Sequence, residues 1–168
     1  MSVNRDYQRL AESDYLRDKR RVAIAGLAAG FCGAVIMVLG GVLQATAQGL
    51  EPVYYLRLFA GGWLGQATIV GGVGVVLLGA LTQLAFYSLL GALFSMILPP
   101  SLFAYGALGA GLIYGLCVWA IGTFTFTFDL HPRTWLMLHL LYGACLLVTP
   151  FFTQAAVVGT VHGFKEAA

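Results

Sequence analysis

The sequence predicts an all-α, polytopic membrane protein with four transmembrane helices and a short interfacial helix between the first and the second. The chain has 168 residues, of which 60% are hydrophobic, and its mean hydropathy is +0.85. Between residues 22 and 163 only four residues carry a formal charge, and these are Glu51, Arg57, Asp129 and Arg133. Soluble domains contain about 25% charged residues, so this long stretch is expected to face lipid.

The first 21 residues differ from the rest because they are polar and carry charges of both signs. Val3, Tyr7 and Leu10 have helical spacing, which indicates a short surface helix lying on lipid headgroups or against a partner. A partly ordered cytoplasmic tail is the alternative. The chain therefore divides into a polar N-terminal arm (1–21), a four-helix transmembrane domain (22–163) and a cytoplasmic tail (164–168).

The first predicted span runs from Val22 to about Gln44, an apolar stretch of the length that a bilayer crossing needs. Residues 52–59 are too few to cross, and they are rich in aromatic side chains and include Arg57. Aromatic residues with one arginine are typical of the headgroup region. This segment is therefore the predicted interfacial helix, with a turn after it at Gly61–Gly62.

The second and third predicted spans form a hairpin. The second lies within residues 67–97 and stops before Pro99–Pro100, since proline cannot continue a helix. The third runs from Ser101 to about Phe124. The connection between them is short and uncharged, so the two helices are expected to be antiparallel.

The fourth predicted span runs from Thr134 to about Val148 and has a proline, Pro150, near its end. Pro150 either stops this helix or kinks it. The kinked form is favoured, because residues 151–161 stay apolar almost throughout.

Charge asymmetry predicts the orientation. Six Lys or Arg residues precede the first span and Lys165 follows the last, whereas the opposite side has only Arg57 and Arg133. Positive charges accumulate on the cytoplasmic side of a membrane. Since four crossings return the chain to its starting side, both termini are expected in the cytoplasm.

Glycine is abundant, with 22 residues, and several glycines are four residues apart. Membrane helices gain little from burying apolar surface against each other, so they associate by close packing at small residues. The G-x-x-x-G spacing predicts helix packing or partner docking at three pairs, Gly26/Gly30, Gly61/Gly65 and Gly111/Gly115.

Two polar side chains fall inside the apolar runs. Gln83 lies in the middle of the second span, and a buried amide needs a partner, so we expect a hydrogen bond to a neighbouring helix rather than a substrate contact. His139 lies in the fourth span, where a neutral imidazole would either ligate haem or chlorophyll or hydrogen-bond a carbonyl or hydroxyl. The other histidines, His131 and His162, are in loop or terminal positions and supply no facing ligand.

Several functional classes lack support in the sequence. No basic patch recurs outside the arm, which argues against nucleic-acid binding. The chain contains no hydrolase, zinc-protease, dithiol or nucleotide-binding motif, so we expect no enzyme activity, no metal and no cofactor. The loop with Asp129, His131 and Arg133 is a weak candidate metal or partner site, and ordinary loop contacts account for it equally well.

Residues 25–30 (AGLAAG) and 138–143 (LHLLYG), with the interfacial segment between the first two spans, resemble small four-span bacterial inner-membrane proteins. This resemblance implies the bacterial inner membrane, with lipid and other integral membrane subunits as partners, but no activity. The leading hypothesis is a non-catalytic accessory or scaffold subunit of a larger membrane complex, respiratory or photosynthetic. The alternatives are a small oligomeric transporter or channel around Gln83, and a haem- or chlorophyll-binding protein that uses His139.

Overall fold

The computed structural model describes residues 3–65, 69–98, 104–125 and 132–147. These residues form five α-helices and, within those ranges, no strand. The helices are α1 (Val3–Ala47), α2 (Tyr54–Leu64), α3 (Val73–Ile97), α4 (Ala104–Thr125) and α5 (Pro132–Cys145).

Among the described residues three helices, not four, are long and apolar enough to cross a membrane: Lys19–Ala47 within α1, Val73–Ile97, and Gly106–Thr123 within α4. The predicted fourth span corresponds to α5, which has only 14 residues. That length is about 21 Å of helix, against a hydrocarbon thickness of about 30 Å. The apolar stretch after Pro150, on which the kinked fourth span depended, lies outside the described residues.

The first helix is continuous through the charged segment. It has 45 residues, or about 68 Å at 1.5 Å per residue. Neither glycine nor proline occurs between Val3 and Ala25, so nothing in the sequence interrupts the backbone hydrogen bonds there. Residues 3–21 therefore extend the axis of the first span, and they are not the separate surface helix that the charge pattern predicted.

The second helix is longer and more buried than an interfacial helix. It passes through Gly61 and Gly62, where a turn was predicted, and ends at Gly65, whose φ of 93° favours glycine. It packs against α3 and α1. A Cβ atom at Gly79 of α3 would overlap the Leu56 carbonyl, so this glycine allows the two backbones to touch. The buried residues of α2 are Tyr55, Leu56, Leu58, Phe59, Ala60 and Gly61.

The most extensive helix contact joins α1 and α3. Gly26 faces Gly91 and Ser95, whereas Gly30 faces Tyr87 and Gly91, so the two helices run antiparallel. At Gly30 and Gly91 the two backbones touch directly, whereas Gly26 also meets the Ser95 side chain. The Ser95 hydroxyl lies 2.7 Å from the Ala92 carbonyl of its own helix and 3.0 Å from the Val22 carbonyl of α1, so its one proton is shared between them.

The α4 and α5 helices cross in the same manner. Gly111 faces Gly143, and Gly115 faces the His139 carbonyl and Gly143, which again gives antiparallel helices. The α4 helix also reaches α3 through Tyr114, whose hydroxyl donates to the Leu90 carbonyl at 2.9 Å. Among the described residues the buried apolar side chains come mainly from α1, α2, α3 and α5, and α4 packs against α5 and α3.

Candidate functional site

Five polar side chains meet in the interior, and we call them the buried polar cluster: Tyr55, Gln83, Tyr87, His139 and Tyr142. None of the five is more than 2% exposed. They come from α2, α3 and α5, and the two from α3 lie close to the middle of that helix. The cluster is therefore the polar centre of a bundle whose surroundings are almost entirely apolar.

Local spacing explains which side chains share a helix face. Gln83 and Tyr87 are four residues apart on α3, and His139 and Tyr142 are three apart on α5, so each pair points in one direction. Space for the rings comes from α1. A Cβ atom at Gly33 would lie 2.7 Å from Cδ2 of Tyr142, so a side chain at that position would displace the ring.

Tyr87 and His139 form the central hydrogen bond, with 2.9 Å between the Tyr87 hydroxyl and Nε2 of His139. The other ring nitrogen, Nδ1, lies 2.8 Å from the Trp135 carbonyl. A carbonyl can only accept, so Nδ1 bears the proton and donates. In the neutral imidazole Nε2 is then the acceptor, and the Tyr87 hydroxyl donates to it.

Tyr142 ties α5 to α3 at the same level. Its hydroxyl donates to the Tyr87 carbonyl at 2.7 Å, and its ring lies 4.9 Å from the Tyr87 ring in an edge-to-face arrangement. Trp135 covers the other side of His139, with 4.5 Å between the ring centroids. The imidazole is thus enclosed by aromatic rings.

Gln83 makes the interhelix hydrogen bond expected of it. Its Nε2 donates to the Tyr55 hydroxyl at 2.7 Å, which joins α3 to α2. Tyr55 is 1% exposed, and this burial raises the pKa of its phenol above the usual value. The phenol therefore remains neutral, with an O–H available for donation.

His139 was also the candidate ligand for haem or chlorophyll, and both of its ring nitrogens are engaged by protein groups here. Metal ligation through Nε2 would require Tyr87 to give up its hydrogen bond. In the described parts of the chain there is no group of three or more His, Cys, Asp or Glu side chains that could hold a metal ion. The candidate loop residues Asp129 and His131 lie outside the described residues.

Two of the three predicted glycine pairs lie in helix contacts, and the third does not. Both members of Gly26/Gly30 lie in the α1–α3 contact, and both members of Gly111/Gly115 lie in the α4–α5 contact. These two pairs pack helices of the same chain against each other. Gly61 and Gly65 do not form such a pair, because Gly65 ends α2 and a Cβ atom built there would meet nothing within 4 Å.

One ion pair joins Arg57 of α2 to Glu51, which lies just before that helix. Arg57 donates to Glu51 at 2.7 Å, with Glu51 largely exposed. Ion pairs exposed to water contribute only about 0–1 kcal/mol. We therefore expect this pair to contribute little to the stability of α2.

Sequence reasoning identified Gln83 and His139 but missed the three tyrosines that surround them. A signal was present in the sequence. Tyr87 lies four residues after Gln83 and Tyr142 three after His139, and polar side chains on one face of an apolar helix need partners in the bundle. Tyr55 gave no such signal, because it was assigned to a helix at the headgroups.

Comparison with known proteins gives no relative for this arrangement. The chain matches no protein-family model, no curated protein and no solved structure.

Proposed function

We propose that this chain is an integral membrane protein and a non-catalytic structural subunit of a larger membrane assembly. Membrane insertion is supported by the three helices long and apolar enough to cross and by the near absence of charge between residues 22 and 163. The bacterial inner membrane is proposed from the sequence resemblance alone.

The observation that most supports a structural role is how the interior polar groups are used. Gln83, Tyr87 and Tyr142 each make a hydrogen bond to another helix, and the half-buried Tyr114 does the same. Catalytic and transport sites instead direct polar groups toward a substrate. Here the polar groups fasten helices to one another, which is what a scaffold requires.

A partner is supported by small residues that make no close contact with another helix in the described part of the chain. Cβ atoms built at Gly74 of α3 and Gly109 of α4 would meet no described atom within 4 Å. Large apolar residues flank them, including Leu77 and Ile113, which are 58% and 64% exposed. Small residues beside large ones permit close approach of another helix, and these two positions are our candidates for subunit contact.

The proposed orientation follows from the ends of α1. Arg20 and Arg21 are exposed near the start of its span, whereas Glu51 and Arg57 lie after its end. By the positive-inside preference the N-terminus lies in the cytoplasm. The side of the C-terminus depends on the chain after Leu147, so we propose a cytoplasmic N-terminus only.

Native mass spectrometry after mild solubilisation from the host membrane tests the proposal. We expect the chain to be released together with other membrane subunits. Gly74→Leu and Gly109→Leu should each weaken that association, because they fill the open positions. The matched control is Ala85→Leu, which enlarges another exposed position on α3. A wild-type chain released only as a monomer contradicts the proposal.

A further inference from the structure

The contact between Gln83 and Tyr55 leaves hydrogen-bonding groups unused. Gln83 donates one N–H to the Tyr55 oxygen. Within the described residues its Oε1 is buried and accepts no hydrogen bond. The Tyr55 hydroxyl oxygen accepts in this contact, and its own O–H has no acceptor in the described part of the chain. A donor and an acceptor are therefore left side by side between α2 and α3.

Rotating the Gln83 side-chain amide by 180° still leaves hydrogen-bonding groups without partners. In that orientation the Tyr55 hydroxyl would donate to Oε1, and both N–H groups of Gln83 would then lack acceptors among the described residues. Gln83 is 0% exposed and Tyr55 is 1% exposed, so bulk solvent satisfies neither. Buried polar groups in proteins nearly always have a partner, and ordered water often supplies it.

We propose that α2 and α3 bind one water molecule at this point. The water accepts the Tyr55 O–H and donates to Oε1 of Gln83. This gives it two protein partners, within the range of two to four that buried waters have. Both side chains are closed off from bulk solvent, so the water is an internal one.

The site gives α2 a second link to α3 beside the direct hydrogen bond. The Leu56 carbonyl already touches Gly79 one turn earlier on α3. The water completes the polar contact on the same face, so α2 is held to α3 by a direct bond, a bridging water and a backbone contact.

A crystal structure of the full chain grown in lipid, at a resolution that shows ordered water, tests the site directly. We expect a density peak at about 2.6–3.2 Å from both the Gln83 amide oxygen and the Tyr55 hydroxyl. A side chain from elsewhere in the chain at that place overturns the proposal. So does the absence of a peak where the surrounding side chains are well ordered.

Solution NMR gives an independent measurement on the same protein in nanodiscs. With ¹⁵N-labelled glutamine, the Gln83 side-chain amide is identified as the signal lost in Gln83→Met. We expect a nuclear Overhauser cross-peak between that amide and a long-lived water. If the amide is slowly exchanging and shows no such cross-peak, no bound water is present and the proposal is wrong.

Discussion

The glycine contact between α1 and α3 gives the sharpest prediction, which is the effect of Gly91→Ala. The new Cβ atom would lie 2.6 Å from Cα and 2.8 Å from N of Gly30, and it would overlap the Gly26 carbonyl oxygen. Carbon atoms in ordinary contact are about 3.5–4.0 Å apart. The helices must therefore separate locally by about 1 Å, because 2.6 Å has to become at least about 3.5 Å.

The expected change in the free energy of unfolding is a balance of two effects. Adding a methyl group to a well-packed interior costs about 1–3 kcal/mol. Since the overlapping atoms belong to the α1 backbone and cannot rotate away, we expect the upper part of that range. Alanine is a better helix former than glycine by about 1 kcal/mol. The net loss should be about 1–2 kcal/mol, or a factor of about 5–30 in the folded-to-unfolded ratio.

The matched control is Gly109→Ala on α4. A Cβ atom there meets no described atom within 4 Å, so only the helix-propensity gain applies and stability should rise by up to about 1 kcal/mol. The assay is reversible unfolding in mixed micelles by titration with sodium dodecyl sulfate. Equal stability of the two variants, or a Gly91→Ala protein more stable than wild type, would refute the close contact of α1 and α3.

Three further predictions concern the polar cluster, the exposed ion pair and the N-terminal helix. Tyr87→Phe removes the hydroxyl that donates a hydrogen bond to His139 and should lower the free energy of unfolding by about 0.6–1.7 kcal/mol, the usual range for interhelix hydrogen bonds in membranes. Tyr54→Phe is the control, and equal stabilities of the two variants in the same titration would contradict the hydrogen bond. Glu51→Gln should change the free energy of unfolding by less than about 1 kcal/mol, and its difference from wild type should shrink as the salt concentration rises. A larger loss that does not depend on salt, in the same titration, would show that the ion pair stabilises the fold. Double electron–electron resonance between spin labels at Gln8 and Arg21 should give one narrow distance distribution near 20 Å, because 13 residues of helix rise about 1.5 Å each. A broad or much shorter distribution would disprove a continuous helix.

The sequence predicted the break between α3 and α4 well because its signals are local. Pro99 and Pro100 forbid a continuing helix, and the observed helices end at Ile97 and resume at Ala104, close to the predicted limits. The start of α3 at Val73 lies inside the predicted range of residues 67–97, which did not fix it more closely. Apolar composition alone cannot distinguish a helix from an apolar connection, and glycines occupy this one at Gly71 and Gly72.

The position of α2 could not be predicted in this way. Its aromatic residues and Arg57 are typical of the headgroup region, but the same aromatic side chains fill a space between helices equally well. Gly41 and Gly79 on two other helices create that space, since a Cβ atom at either would overlap Tyr55 or the Leu56 carbonyl. Such a contact links residues far apart in sequence, and no local pattern reveals it.

The polar cluster and the glycine contacts have complementary roles in fixing this bundle. Interhelix hydrogen bonds in membranes are each worth only about 0.6 kcal/mol on average, so the cluster adds modest stability. Its geometry is more restrictive, because Gln83 and Tyr87 on one face of α3 must meet Tyr55 and His139 from two different helices at once. Glycine contacts bring the backbones together but allow neighbouring registers of similar packing. A shift of α5 by one turn would leave Nε2 of His139 and the Tyr142 hydroxyl without their partners on α3, and each unpaired group in an apolar interior costs about 1–3 kcal/mol. The glycines therefore determine how closely the helices approach, and the uncharged polar groups determine their register.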